Sequence, residues 1–114
     1  MNKYAGVIAF SVVSLFCNPA YPQSQPEMNA QSQADFEKAD VRLNAIYKKT
    51  LATLDEVGKK KLIASERAWL AYRDAEATFE ADSERGGSMA PMIYNQACLE
   101  LTEARIKQLT KAAE

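Results

Sequence analysis

The chain has 114 residues, with 14 Lys and Arg against 15 Asp and Glu, a formal charge of −1 and no histidine. That length holds one domain, and the near-neutral balance argues against nucleic acid, whose binding rests on a surplus of Lys and Arg. Without histidine the chain lacks the usual general base near pH 7 and the commonest metal ligand, so neither a metal nor a cofactor is expected.

The N-terminus opens with Lys3 and then an apolar run from Ala5 to Phe16. A bilayer-spanning helix needs about 20 apolar residues, so this run is too short to span and fits a secretory signal peptide, residues 1–20, cut after Ala20. A lipoprotein reading would use Cys17, but Leu15 and Phe16 stand where small residues are wanted. The expected location is periplasmic or secreted, without a stable membrane span. Cleavage removes Lys3 and takes the charge from −1 to −2. Cys98 then remains as an unpaired thiol, or as one half of an intermolecular disulfide.

After a polar leader (21–25), the remainder, 26–114, reads as a single helical domain. Ser24 and Glu27 form an S-x-x-E capping box with Pro26 in the first turn. Met28, Phe36, Ala39, Leu43, Ile46, Tyr47, Leu51 and Leu54 then recur at helical spacing, which predicts a helix from about Glu27 to Leu54. Asp55 is the expected N-cap of a second helix, with Gly58 as an alternative C-terminal cap of the first. The second stripe, Leu62, Ser65, Trp69, Tyr72, Ala75 or Glu76, and Phe79, predicts a helix over Glu56 to Asp82. Gly86-Gly87 ends it. Ser88 is the expected cap of a third helix, which carries Pro91 in its first turn. Its stripe is Tyr94, Ala97, Cys98, Leu101, Arg105 and Leu109. The fold class is therefore all-α, either a three-helix antiparallel bundle or a helical hairpin with a third helix packed alongside. Trp69, Tyr72, Phe79, Phe36 and Tyr47 are expected to supply much of the core, with Trp69→Ala costing about 3–5 kcal/mol.

Three groups of residues could carry chemistry. Glu66, Arg73 and Asp74 can be read as acid, clamp and base, but carboxylates on helices are abundant, and a solvated or bridged helix face explains them more simply. A partly buried Arg73 or Arg105 would need a carboxylate such as Glu103 or Asp74. Arg85-Gly86-Gly87-Ser88 lacks the lysine and the preceding strand of a phosphate loop. It reads as a helix-to-helix turn, short, polar and well placed to touch a partner. Cys98 has no base for nucleophilic work and reads as a buried thiol.

Several motifs occur in order: Glu27-Met28-Asn29, Ala39-Asp40, Leu43-Asn44-x-x-Tyr47, Ala68-Trp69-Leu70-x-Tyr72-Arg73-Asp74, Gly86-Gly87-Ser88 and Leu101-Thr102-Glu103-x-Arg105. Together they closely resemble the LprI-like lysozyme-inhibitor family. The resemblance implies a small exported helical protein whose partner is another protein, a lysozyme-type glycosidase, and which is not an enzyme. It also implies that Trp69, Tyr72, Arg73, Asp74, Glu103 and Arg105 are structural motif residues. Family members commonly carry cysteines where this chain has Gln31 and Ala77, so Cys98 looks like the retained half of a lost pair. The residues expected to meet the partner are Arg85, Gly86, Gly87 and Ser88, with Arg73 in support. The alternative is an envelope or immunity module with a different protein partner.

Overall fold

The computed structural model describes residues 22–114. The expected signal peptide and its cleavage site lie outside them. Among the described residues there are three long helices, α1 (Gln25–Ala52), α2 (Glu56–Ala81) and α3 (Ala90–Ala113), with a single 3-10 turn (Asp82–Glu84) after α2. The all-α expectation holds.

Local chemistry accounts for most of the helix ends. Ser24 Oγ accepts from the Glu27 N–H and the Glu27 carboxylate accepts from the Ser24 N–H, both at 3.4 Å, completing the capping box. Asp55 Oδ1 accepts from the Gly58 N–H at 2.7 Å. Gly58 therefore lies in the first turn of α2 and is not the cap of α1, which stops at Ala52, two residues short of Leu54. The third helix departs from expectation. Its N-cap is Met89, with no side-chain cap, and it starts at Ala90 with Pro91 in the first turn. Ser88 does not cap it; its carbonyl serves another purpose, described below.

The chain runs up, down and up. Asn29 reaches Ser88, Asn95 reaches Ser32, and Thr50 reaches the Leu109 carbonyl, so α1 and α3 lie parallel with N-termini at the same end. Ala39 and Leu43 on α1, and Ala97, Cys98 and Leu109 on α3, are all buried, and Ala97 and Cys98 also cluster with Ala77 of α2. The hydroxyls buried among them are satisfied. Thr50 Oγ1 lies 2.8 Å from the Ile46 carbonyl and 3.2 Å from that of Leu109.

α2 packs antiparallel against α3 and meets α1 mainly through long side chains. Here the expected core is wrong. Tyr72 is 54% exposed and Phe79 74% exposed, while Glu66 and Arg73 are each only 7% exposed. Phe36, Tyr47 and Trp69 are half-buried. The inward stripe of α2 is Leu62, Glu66, Trp69, Arg73 and Ala77, rotated away from the stripe that the aromatic residues mark. The rotation has a physical cause. An arginine or glutamate can be buried when it is paired and hydrogen-bonded, and here Arg73 meets Asp74, Asp40 and Thr102 while Glu66 meets Arg105.

Candidate functional site

Two features concentrate the polar chemistry: the seam under α2 and the turn that follows α2.

In the seam, Arg73 is held by both carboxylates within its reach. Its Nε donates to Asp74 Oδ1 at 2.9 Å, and its Nη1 donates to Asp40 Oδ1 at 3.0 Å and to Thr102 Oγ1 at 3.5 Å. The guanidinium lies 4.9 Å from the Phe36 ring centre and 5.4 Å from that of Trp69. Burial works to lower its pKa, but hydrogen bonds and charge attraction, from Asp74 and then Asp40, more than offset this and raise it above the ordinary value. Arg105, about one turn along α3 from Leu101, donates through Nε to Glu66 Oε2 at 3.0 Å and through Nη2 to Ser65 Oγ at 3.1 Å. Its guanidinium is 5.8 Å from the Trp69 ring. Trp69 thus meets a guanidinium from its own helix and another from α3. Each such contact is worth about 0.5–2 kcal/mol, depending on solvent exclusion.

These bridges favour the structural reading of Glu66, Arg73 and Asp74. All three are engaged in ion pairs, Glu66 with Arg105 and Asp74 with Arg73. Two grooves run along the α1–α3 side, and none of the three residues lines either of them. The partner of each arginine also differs in part from expectation. Glu103 serves neither; it pairs across the surface with Arg42 at 3.3 Å, both side chains being about half exposed. Asp40, a member of the Ala39-Asp40 motif, is the carboxylate whose pairing sequence reasoning did not foresee. Arg73 itself, expected to support the partner contact, lies inside the packed seam with little exposure.

The turn is built differently. The 3-10 segment closes with the Arg85 N–H donating to the Asp82 carbonyl at 3.1 Å, and the Gly87 N–H donates to the Glu84 carbonyl at 2.8 Å. Gly86 has φ +76° and open space around the position of a Cβ, so its need for glycine is conformational. Gly87 needs little room for a different reason: a Cβ there would sit 3.2 Å from the Glu84 carbonyl oxygen. Beyond the glycines, the Asn29 side chain donates from Nδ2 to the Ser88 carbonyl at 3.0 Å, while Gln25 Nε2 donates to Asn29 Oδ1 at 2.7 Å. The N-terminus of α1 therefore braces the turn.

Arg85 stands on this turn with its side chain 80% exposed. Its Nε and Nη2 donate to the two carboxylate oxygens of Asp82 at 2.7 and 2.6 Å, and this pairing raises its pKa. The turn thus holds a guanidinium at the surface with its plane set by an aspartate, next to backbone that carries no side chain at Gly86 and Gly87. The sequence placed Arg85, Gly86, Gly87 and Ser88 together, and they are together. The brace from Asn29 was not foreseen, since a side chain 59 positions away leaves no local signal.

Cys98 is fully buried, in one cluster with Ala77 and Ala97 and under Phe36 and Tyr94. Burial pushes its thiol pKa up, the opposite of what a nucleophile requires. Ala77, at one of the two positions where a cysteine was expected from the family resemblance, lies in the same cluster. Gln31, at the other, is exposed. Among the described residues no group of three or more His, Cys, Asp or Glu could hold a metal, and no helix is long and apolar enough to cross a membrane.

An uncharacterised protein of Rhizobium meliloti (strain 1021) is 31% identical over 107 residues, covering 80% of this chain and 77% of the relative. No solved structure matches the chain. The family model described as lysozyme inhibitor LprI matches residues 17–109, a span that takes in the seam, the turn and all but the last turn of α3. On that match the chain belongs to the LprI lysozyme-inhibitor family.

Proposed function

We propose that the protein is exported and, without catalysing a reaction, binds and blocks a lysozyme-type glycosidase, using the turn after α2 as its contact. The observation that carries this reading is Arg85, 80% exposed on a turn opened by Gly86 and braced by Asn29. A glycosidase of this type works with two carboxyl groups in a cleft. An arginine fork matches a carboxylate in two parallel hydrogen bonds, and the side-chain-free backbone at Gly86 and Gly87 lets the turn enter a narrow space. Binding would exchange Asp82 for an enzyme carboxylate as the acceptor for Arg85. Ser88 adds a hydroxyl donor beside it.

Export is supported by the short apolar run after Lys3, and a non-catalytic role by the engagement of Glu66, Arg73 and Asp74 in structural bridges. A clearing assay tests the proposal. Purified protein in micromolar excess should slow the lysis of cell walls by lysozyme. Unchanged clearing across that range defeats the inhibitor reading, and capture of a different envelope protein in its place would favour the immunity-module alternative.

A further inference from the structure

The outward face of α2 is apolar, while its inward face carries Glu66 and Arg73. Val57, Ala64, Ala68, Ala71 and Ala75 are all exposed and follow one another at spacings of seven, four, three and four. Tyr72 and Phe79 flank them on one side, 54% and 74% exposed, and Val57 is 62% exposed. Three of the five large apolar side chains most exposed among the described residues therefore lie along this one helix face. The spacing is that of a seam between two helices, and the alanines allow two backbones to approach closely.

The charges of α2 indicate what covers it. Lys59, Lys60, Lys61 and Arg67 lie in its N-terminal half, and from Asp74 to Glu84 there are five acids and no base. The Asp55 cap and Glu56 suit the helix dipole in the first turn, and beyond that turn the order of charges is complementary to itself when reversed. Lys60, Lys61 and Arg67 form no ion pair with another described residue.

We infer that the outer face of α2 binds a second copy of this chain, antiparallel, across a two-fold axis passing near Ala68 and Ala71. A two-fold contact presents the same patch twice. It brings Lys60 and Lys61 of each copy towards Glu76 and Glu80 of the other, which form no ion pair with another described residue, while Tyr72 and Phe79 lose their exposure. The two Arg85 turns then lie at opposite ends of the pair and stay open.

Sedimentation of the purified protein over a range of concentrations tests this. A monomer–dimer equilibrium is expected, weakened by salt. Ala71→Glu keeps a good helix former on an exposed position and should raise the dissociation constant at least about tenfold, equal to about 1.4 kcal/mol, with an unchanged circular dichroism spectrum. A charge pair gives a second arm. Lys60→Glu/Lys61→Glu and Glu76→Lys/Glu80→Lys should each weaken self-association, and mixing the two proteins should restore a dimer. A protein that stays monomeric up to millimolar concentration overturns the inference, as does a dimer indifferent to Ala71→Glu. Loss of lysozyme inhibition by Ala71→Glu in a monomeric protein would also overturn it, by giving the face to the enzyme.

Discussion

The contact between α1 and α3 and the contact that α2 makes with them join the same chain by different physics. The first is small and apolar. Ala39, Leu43 and Leu109 are buried there, with Thr50 turned onto backbone carbonyls. The second joins the buried Ala77–Ala97–Cys98 cluster to an ionic and aromatic layer in which Trp69 meets Arg73 and Arg105, and every charge is matched by Asp40, Asp74 or Glu66. An apolar contact tolerates any neighbour of the right size. A matched ionic contact tolerates one partner in one geometry, so it gives α2 a register that its small inward apolar content could not give. The difference teaches that buried charge here acts as an alignment device, and that the apolar residues it displaces end up on the outside of α2.

The comparison can be broken most strongly at Glu66. Both side chains of the Glu66–Arg105 bridge are about nine-tenths buried. Removing one partner from such a pair leaves an uncompensated charge and typically costs about 3–5 kcal/mol. Glu66→Ala should show this as a fall in the urea midpoint. The double variant Glu66→Leu/Arg105→Leu should recover most of the loss, because a buried pair replaced by apolar groups is often neutral. A double variant as unstable as the single one would mean that the bridge supplies net stability rather than alignment.

On the apolar side, Leu43→Ala should cost about 2–4 kcal/mol through lost burial and a cavity, since Leu43 is 1% exposed. No second substitution across the α1–α3 contact should rescue it in the way the charge pair is rescued. The same urea titration makes the contrast directly.

The α2–α3 junction can also be strengthened. Ala77 and Cys98 share one buried cluster, so Ala77→Cys should form a disulfide with Cys98 on oxidation. The gain should be about 2–4 kcal/mol, as for a disulfide closing a loop of ordinary length, and it should vanish with reductant. A thiol count that stays at two after oxidation would place the two positions out of bonding geometry.

The smallest effect is that of pH. Cys98 has a folded-state pKa raised above 9.0, so the fold favours the neutral thiol. That contribution is fully present below the unfolded pKa and declines as pH rises from there through the folded value. Stability should be flat near pH 7–8 and fall above about pH 9, and Cys98→Ala should make that alkaline fall shallower.

How much of this was legible beforehand follows the range of each interaction. The capping box at Ser24 and Glu27, the Asp55 cap and the glycine turn are fixed by residues within three or four positions of one another, and a sequence displays them. The phase of α2 was not legible, because hydrophobic patterning assigns Tyr72 and Phe79 to the interior and cannot see that Arg73 has Asp40 waiting 33 positions away. Ser88 illustrates the same limit. It looks like a cap, yet its carbonyl belongs to Asn29 and α3 begins two residues later. The candidate contact residues Arg85, Gly86 and Gly87 were legible because a turn is local, whereas the exclusion of Arg73 from the surface required the tertiary structure.

In the proposed function the seam is scaffold and the turn is contact, and one measurement tests that division. Lysozyme inhibition and thermal melting are compared for the natural protein and Arg85→Ala. An unchanged melting temperature is expected, because the exposed Arg85 side chain forms its ion pair with Asp82 alone among the described residues, together with inhibition weakened at least about tenfold, in the range of a binding hot spot. Full inhibition by Arg85→Ala would contradict it, and would move the contact away from the turn.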